Sequence, residues 1–257
     1  MELDLKGRVV AIAGASRGIG LGIAETCLAE GAKVAISARN PEALEATRLR
    51  LAERYGEDCV WARAGDMRET NEIEACLNGA EAELGPLWGA VANVGIYPCP
   101  PGIEVDDETW DAGFRQNLDA AYRLARSALR RLVPRGEGSV LLISSIAGID
   151  AMGSSLTYGV AKAAVNHLGQ ELARLAGPAN VRVNAIAPGN IVFQGGTWAE
   201  RLSGPRGDVW RRWVDREVPL KRFGAPEEIG SVAAFMLSPR ASFMTGMVAA
   251  VDGGQTR

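Results

Sequence analysis

Tyr158 and Lys162 stand four residues apart within a helical pattern, Ser155 to Ala176, so both project from one face. A phenol with a pKa of about 10 is a poor acid or base at neutral pH, but an ammonium held beside it stabilises the phenolate and lowers that value. Such a pair can move a proton to or from an oxygen. Lysine is scarce here, at positions 6, 33, 162 and 221 only, which argues against an ordinary charged helix surface. Upstream, Ser144-Ser145 closes a buried-strand pattern, and an open α/β sheet binds its ligands at such strand ends.

A second constellation suits phosphate. The first strand pattern ends in Ala13-Gly14-Ala15-Ser16-Arg17-Gly18-Ile19-Gly20, and a helical pattern follows from Leu21 to Ala29. Gly14, Gly18 and Gly20 permit a tight turn, close approach of backbone N–H groups to a pyrophosphate, and close helix-on-strand packing; the helix start adds free donors. The second strand pattern ends in Ile36-Ser37-Ala38-Arg39-Asn40, with no carboxylate to bind a ribose. Arg39, with Arg17 as a second cation, suits a 2′-phosphate, so NADP(H) is the expected cofactor.

The elements that must position these groups are short apolar runs, each bounded by turn residues: Val9 to Ala13, Lys33 to Ser37, Cys59 to Ala64, Leu87 to Ala92, Ser139 to Ser144, Val181 to Ala187 and Met247 to Val251. Amphipathic segments lie between them, among them Pro41 to Arg54, Asn71 to Glu83, Asp107 to Leu132 and Ser155 to Ala176. Nearly continuous apolar runs read as strands buried on both faces, which predicts a parallel sheet with helices on either side. No repeat or linker divides residues 1–257, so one domain is expected. Residues 190–222 fall off the rhythm, with Trp198, Trp210, Trp213, paired glycines and several arginines. That segment reads as a lid or specificity loop, the alternative being a plain surface helical hairpin.

Composition narrows the partners. The 257 residues carry 28 basic and 31 acidic side chains, a net charge of −3, which makes no case for nucleic acid or an anionic membrane. A small-molecule ligand is expected. No apolar run reaches spanning length, and the first ten residues lack a leader pattern, so cytoplasm is the expected location. Cys27, Cys59, Cys76 and Cys99 form no CxxC or Cys/His set, and the single histidine, His167, cannot complete one; no metal site is expected. His167 lies nine residues beyond Tyr158, too far along the helix to act, and reads as a packing or interface residue.

With these residues in hand, the chain resembles the short-chain dehydrogenase/reductase family, with a 3-oxoacyl-[acyl-carrier-protein] reductase-like flavour, over essentially its whole length. The glycine pattern is Gly14, Gly18, Gly20; the Tyr-x-x-x-Lys is Tyr158 to Lys162; the serine thirteen residues earlier is Ser145; the helix asparagine is Asn117. Ala92-Asn93-Val94-Gly95, Pro188-Gly189, Thr245-Gly246 and Val251-Asp252-Gly253-Gly254 match further family signatures. The resemblance implies a single-domain Rossmann fold, a doubly wound seven-stranded parallel sheet, with residues 190–222 as substrate lid. It also implies the roles. Tyr158 is the general acid in reduction and base in oxidation, and Ser145 bonds the substrate oxygen. Lys162 lowers the tyrosine pKa and holds the nicotinamide ribose, and Asn117 positions a water. Asp66 and Met67 border the adenine; Asn93, Val94, Gly95, Pro188, Gly189 and Ile191 line the ribose and nicotinamide, beside the turn residues Ser16 and Ile19 and the Arg39-Asn40 pair.

The implied activity is NADP(H)-dependent interconversion of a ketone and a secondary alcohol on a small or medium-sized substrate, with 3-oxoacyl thioesters, steroids and sugar alcohols as candidate classes. An idle NADP(H)-binding sensor or scaffold is the rival, weakened because Asn117, Ser145, Tyr158 and Lys162 are all present. A homotetramer or dimer is implied, formed through the long helices, where Ala161, Ala163, Ala164 and Gly169 would permit close packing. Three positions depart from the family: Ala13 and Ala92 replace a threonine and an asparagine, and Phe193 stands where a threonine holds the nicotinamide carboxamide.

Overall fold

The computed structural model describes residues 2–95 and 102–256; Cys99 lies outside them. Seven parallel strands, β1 (Val9–Ala13), β2 (Lys33–Ala38), β3 (Val60–Ala64), β4 (Leu87–Ala92), β5 (Gly138–Ile143), β6 (Val181–Pro188) and β7 (Val248–Val251), form one sheet in the order β3-β2-β1-β4-β5-β6-β7. The helices are α1 (Gly18–Ala29), α2 (Pro41–Tyr55), α3 (Thr70–Leu84), α4 (Asp107–Phe114), α5 (Ala120–Leu132), α6 (Leu156–Ala176), α7 (Thr197–Ser203), α8 (Gly207–Glu217) and α9 (Pro226–Leu237).

The alternation of β1 explains the layering. Val9, Ala11 and Ala13 join the core beneath α3, α5 and α6, whereas Val10 and Ile12 join the core beneath α1, α2 and α9. Burying each large aliphatic side chain contributes about 1.5–3 kcal/mol, and both faces of the sheet are covered in this way. The strand order reverses direction between β1 and β4, which opens a crevice at the carboxyl ends of the strands. Helices α1 and α9 meet without spacing: a Cβ on Gly22 would lie 2.6 Å from Pro226, and one on Gly230 would lie 2.3 Å from Thr26 Oγ1. That contact carries the start of α9 up to the glycine turn.

Three expectations need correcting. The Asp107-to-Leu132 pattern is not one regular helix, because Arg115–Asp119 form a single π turn between α4 and α5. Residues 190–222 are not a plain loop: as in the helical-hairpin alternative they hold α7 and α8, joined by an aromatic cluster in which Trp198 and Trp213 stack at 5.7 Å and Trp210 meets Trp198 edge-on. Finally, Ala161 and Gly169 face the sheet, where Gly169 meets Leu142 and Ala185, so of the four small residues on α6 only Ala163 and Ala164 keep outward surface.

Candidate active site

Lys162 lies on the inner face of α6 and is buried; its Nζ donates to the Ile143 carbonyl at the end of β5, 2.9 Å away. Burial pushes its pKa down to about 8. The helix is fastened to the same strand end by Ser144, whose hydroxyl donates to the Lys162 carbonyl at 3.0 Å while its amide donates to Ile186 of β6. Asn166 adds a bond to the Gly148 carbonyl. Gly148 is close-packed: a Cβ there would sit 2.5 Å from the Lys162 backbone.

Ser145 follows as the cap of a short 3-10 turn, Ile146–Gly148, its hydroxyl accepting from the Ala147 amide at 3.2 Å. Tyr158 is half-buried one helical turn before Lys162, and the lysine Nζ lies 5.7 Å from its ring centroid. The tyrosine pKa departs from expectation. Burial raises it above the ordinary phenol value, with the Ser145 hydroxyl pulling partly the other way. The Lys162 ammonium is turned to the Ile143 carbonyl and is itself buried.

Asn117 sits in the π turn, which is buried at this point. Its amide nitrogen donates to the Gly113 carbonyl, whereas its Oδ1 is buried without a hydrogen-bond partner. A Cβ on Gly95 would lie 2.4 Å from that Oδ1 and 3.3 Å from Lys162 Nζ, so asparagine and lysine converge on one point above Gly95. Single-turn π bulges often mark functional sites because they re-aim a side chain without ending the helix. The helical periodicity of the sequence carries no sign of this one.

The glycine turn faces this group from the end of β1. A Cβ on Gly14 would meet the Asn93 carbonyl at 2.3 Å, and one on Gly20 would meet the Gly14 carbonyl at the same distance; Asn93 Nδ2 bonds the Gly14 carbonyl at 3.0 Å. The turn is thereby locked against the end of β4. Ser16 is fixed through its carbonyl, which accepts from Thr47 Oγ1, and Ile19 packs on the α1 side of the core. Gly189, after β6, touches Asp252 after β7, a contact of 2.7 Å for any Cβ there. Pro188 closes β6, and Ile191 is buried and bridged to Gly224.

At the β2–β3 corner, Asp66 is clamped by Arg68 through both carboxylate oxygens, which with help from Arg39 holds its pKa below the usual carboxylate range. Arg39 thus shares a corner with Asp66, and it makes no hydrogen bond among the described residues. Two neighbours serve structure: Asn40 caps α2 by accepting from the Ala43 amide, and the Met67 side chain lies in the core. Arg68 was not singled out by sequence, although a basic residue two after the acid was its signal; it also reaches Gln116 in the π turn at 3.3 Å. Arg17 is not free beside Arg39: its Nη1 donates to the Gly195 carbonyl at 3.0 Å. Val94 packs on the core under α5.

Other groups stay apart. His167 is exposed, 3.6 Å from Glu171 on the outer face of α6. Cys27 and Cys76 are buried thiols with pKa values pushed up to about 12 and about 11 by burial, which makes them poor nucleophiles. Among the described residues no cluster of three His, Cys, Asp or Glu side chains could hold a metal ion, and no helix is long and apolar enough to cross a membrane.

Residues 14–256 match the family model described as enoyl-(acyl carrier protein) reductase. The chain belongs to the short-chain dehydrogenase/reductase family. Among curated relatives of this dehydrogenase/reductase, the 2-(S)-hydroxypropyl-CoM dehydrogenase 3 of Xanthobacter autotrophicus is 33% identical over 100% of this chain and 99% of its own. The 3-oxoacyl-[acyl-carrier-protein] reductase of Chlamydia muridarum is 31% identical, with 99% of each chain covered. The solved L-sorbose reductase of Gluconobacter frateurii, complexed with NADPH and L-sorbose, superposes with a TM-score of 0.92 at 30% identity, covering 100% of this chain and 99% of that one. The protein is thus an oxidoreductase of this family, and the expected seven-stranded parallel sheet with helices on both faces is the one observed.

Proposed function

We propose that the protein is an NADP(H)-dependent oxidoreductase that interconverts a ketone and a secondary alcohol on a small or medium-sized organic substrate, with Tyr158 as general acid and base. The observation that carries this reading is the convergence of Asn117, Lys162 and Gly95 at one point beside Tyr158 and Ser145, on the same rim as the glycine turn. The residues present fit a dinucleotide. Helix α1 opens directly from the glycine turn with no side chain among the described residues capping it and no acidic residue in its first turn, which suits a phosphate, and Arg39 is a cation beside Asp66. Gly14 to Gly20 would hold its pyrophosphate, Arg39 its 2′-phosphate, Asp66 its adenine, and Asn93 to Gly95 with Pro188 to Ile191 its nicotinamide half. When bound it supplies the hydride.

The chain's own residues supply the rest. Ser145 donates a hydrogen bond to the substrate oxygen as negative charge develops there, and Tyr158 gives that oxygen its proton. A raised phenol pKa keeps Tyr158 protonated at neutral pH, which is the form a reduction requires. Lys162 holds the ammonium within reach of the ring, and the unpartnered Oδ1 of Asn117 is the acceptor for a water that resupplies the proton. Residues 190–222 act as the lid over the substrate. The relatives named above are, by their names, a 2-(S)-hydroxypropyl-CoM dehydrogenase, a 3-oxoacyl-[acyl-carrier-protein] reductase and an L-sorbose reductase, which supports an oxygen-bearing secondary carbon as the shared feature. Exposed Tyr122, Leu156 and Val160 on α5 and α6 support pairing of copies through these helices into a dimer or tetramer; a cytoplasmic location goes with this reading.

One relative, 32% identical over 91% of this chain, carries the name inactive 2-(S)-hydroxypropyl-CoM dehydrogenase 2, so the test must separate catalysis from binding. Tyr158→Phe is expected to lower turnover of any ketone that oxidises NADPH by at least about a thousandfold. NADPH affinity should stay within about twofold of the wild type. A Tyr158→Phe variant that keeps turning over overturns the assigned chemistry, and a wild type that binds NADPH yet reduces no ketose, 3-oxoacyl thioester or steroid ketone is a scaffold.

A further inference from the structure

The middle glycine of a dinucleotide-binding turn lacks a side chain so that the pyrophosphate can come close to the backbone. At Gly18 that space is filled by the chain itself. The Phe193 ring lies 2.6–2.9 Å from where a Gly18 Cβ would stand, and the same ring edge lies 2.8–3.0 Å from where a Gly196 Cβ would stand. One residue earlier in the turn, Arg17 donates to the Gly195 carbonyl. The ring and the guanidinium therefore fasten residues 193–196 across the glycine turn at two points, directly before α7 and the tryptophan cluster.

We propose that Phe193 is a plug: in the free protein its ring occupies the pyrophosphate's position on Gly18, held by the Arg17 clasp, and NADP(H) binds only after the ring swings out. This rests on the dinucleotide reading above and adds to it a built-in gate on cofactor binding. Three observations favour a movable ring over a fixed core residue. Phe193 is half-buried at the edge of the core beneath α1, α2 and α9 rather than within it; Gly195 and Gly196 follow two and three residues on; and Gly195 holds a positive φ of +73°, a conformation that a side chain disfavours. The clasp is a single hydrogen bond from an exposed arginine, so it is readily exchanged for a phosphate contact. Opening the plug also releases the chain leading into α7, so cofactor arrival and lid position are linked through one residue.

The test is rapid-mixing fluorescence of NADPH binding to the full chain, comparing the wild type with Phe193→Ala and Phe193→Thr, after thermal melts establish that each variant folds. For the wild type the observed rate should level off with rising NADPH, because unplugging becomes limiting. In both variants the rate should rise linearly, and the apparent dissociation constant should fall by about fivefold or more, since a binding-competent fraction no longer limits affinity. Identical rates and affinities in wild type and variants overturn the plug and leave the dinucleotide reading intact. Weaker binding by the variants also overturns it, by showing that the ring holds the cofactor rather than excluding it. A wild type that binds neither NADPH nor NADH overturns the functional reading, and the plug with it.

Discussion

Around Lys162 the functional side chains are tied to main-chain carbonyls of regular elements, whereas around Gly18 the contacts run to residues 193–196 through one ring and one exposed guanidinium. Lys162, Ser144 and Asn117 are all buried, and their donors end on Ile143, on Lys162 itself and on Gly113. At the glycine turn the Gly14–Asn93–Gly20 side and the Ser16 carbonyl are locked; the side facing α7 rests on Phe193 and Arg17. The difference teaches where this fold places precision. On the proposed reading, strand and helix backbone set the proton-transfer geometry, and the cofactor groove keeps one face that can change.

Replacing Lys162 by Met is the largest way to break the contrast. Turnover should fall at least about a hundredfold, while stability at pH 7 rises by about 1–3 kcal/mol. The sign follows from linkage. Burial lowers the folded-state pKa to about 8, below its unfolded value of 10.5, so the ammonium destabilises the fold fully below pH 8 and progressively less toward pH 10.5. Melting curves at pH 7 and pH 10 should therefore show the gain shrinking at the higher pH, and an equal gain at both would contradict a buried, poorly solvated lysine.

An intermediate effect is expected at the corner that the plug does not touch. Arg39→Asp should move the preference for NADPH over NADH by about 10–100-fold toward NADH, the worth of a charge-assisted contact to phosphate. An unchanged preference in competition binding would mean that Arg39 does not read the 2′-phosphate. The smallest effect, about fivefold in affinity, belongs to Phe193, and it sharpens the contrast because it is read in cofactor binding alone.

Much of this was legible in the residues. All seven strands are nearly continuous apolar runs, so each appears within about one residue of its expected bounds, and the order of turn residues after them brings Gly14, Asp66, Asn93, Ser145 and Gly189 to one rim. What periodicity does not carry is a local change of pitch: the π turn at Arg115–Asp119 inserts a residue without disturbing the apolar stripe around it. Nor does it carry the direction of a single charge. Tyr158 and Lys162 share one helix as their spacing predicts, but burial raises the phenol pKa and lowers that of the ammonium, whose donor is spent on the Ile143 carbonyl at the end of β5. The helical nature of α7 and α8 was hidden by Gly195, Gly196 and Gly204, and by tryptophans that pack on one another rather than on the sheet.

The central claim is hydride transfer to a ketone at the Tyr158 rim. Its most direct measurement is to incubate the full chain with NADPH deuterated at the reactive C4 position and a mixed set of ketoses, 3-oxoacyl thioesters and steroid ketones, followed by mass spectrometry of the products. One deuterium on the new carbinol carbon of at least one product, absent when Tyr158→Phe replaces the wild type, is the predicted result. No label in any product, with the cofactor shown to be bound, would contradict it.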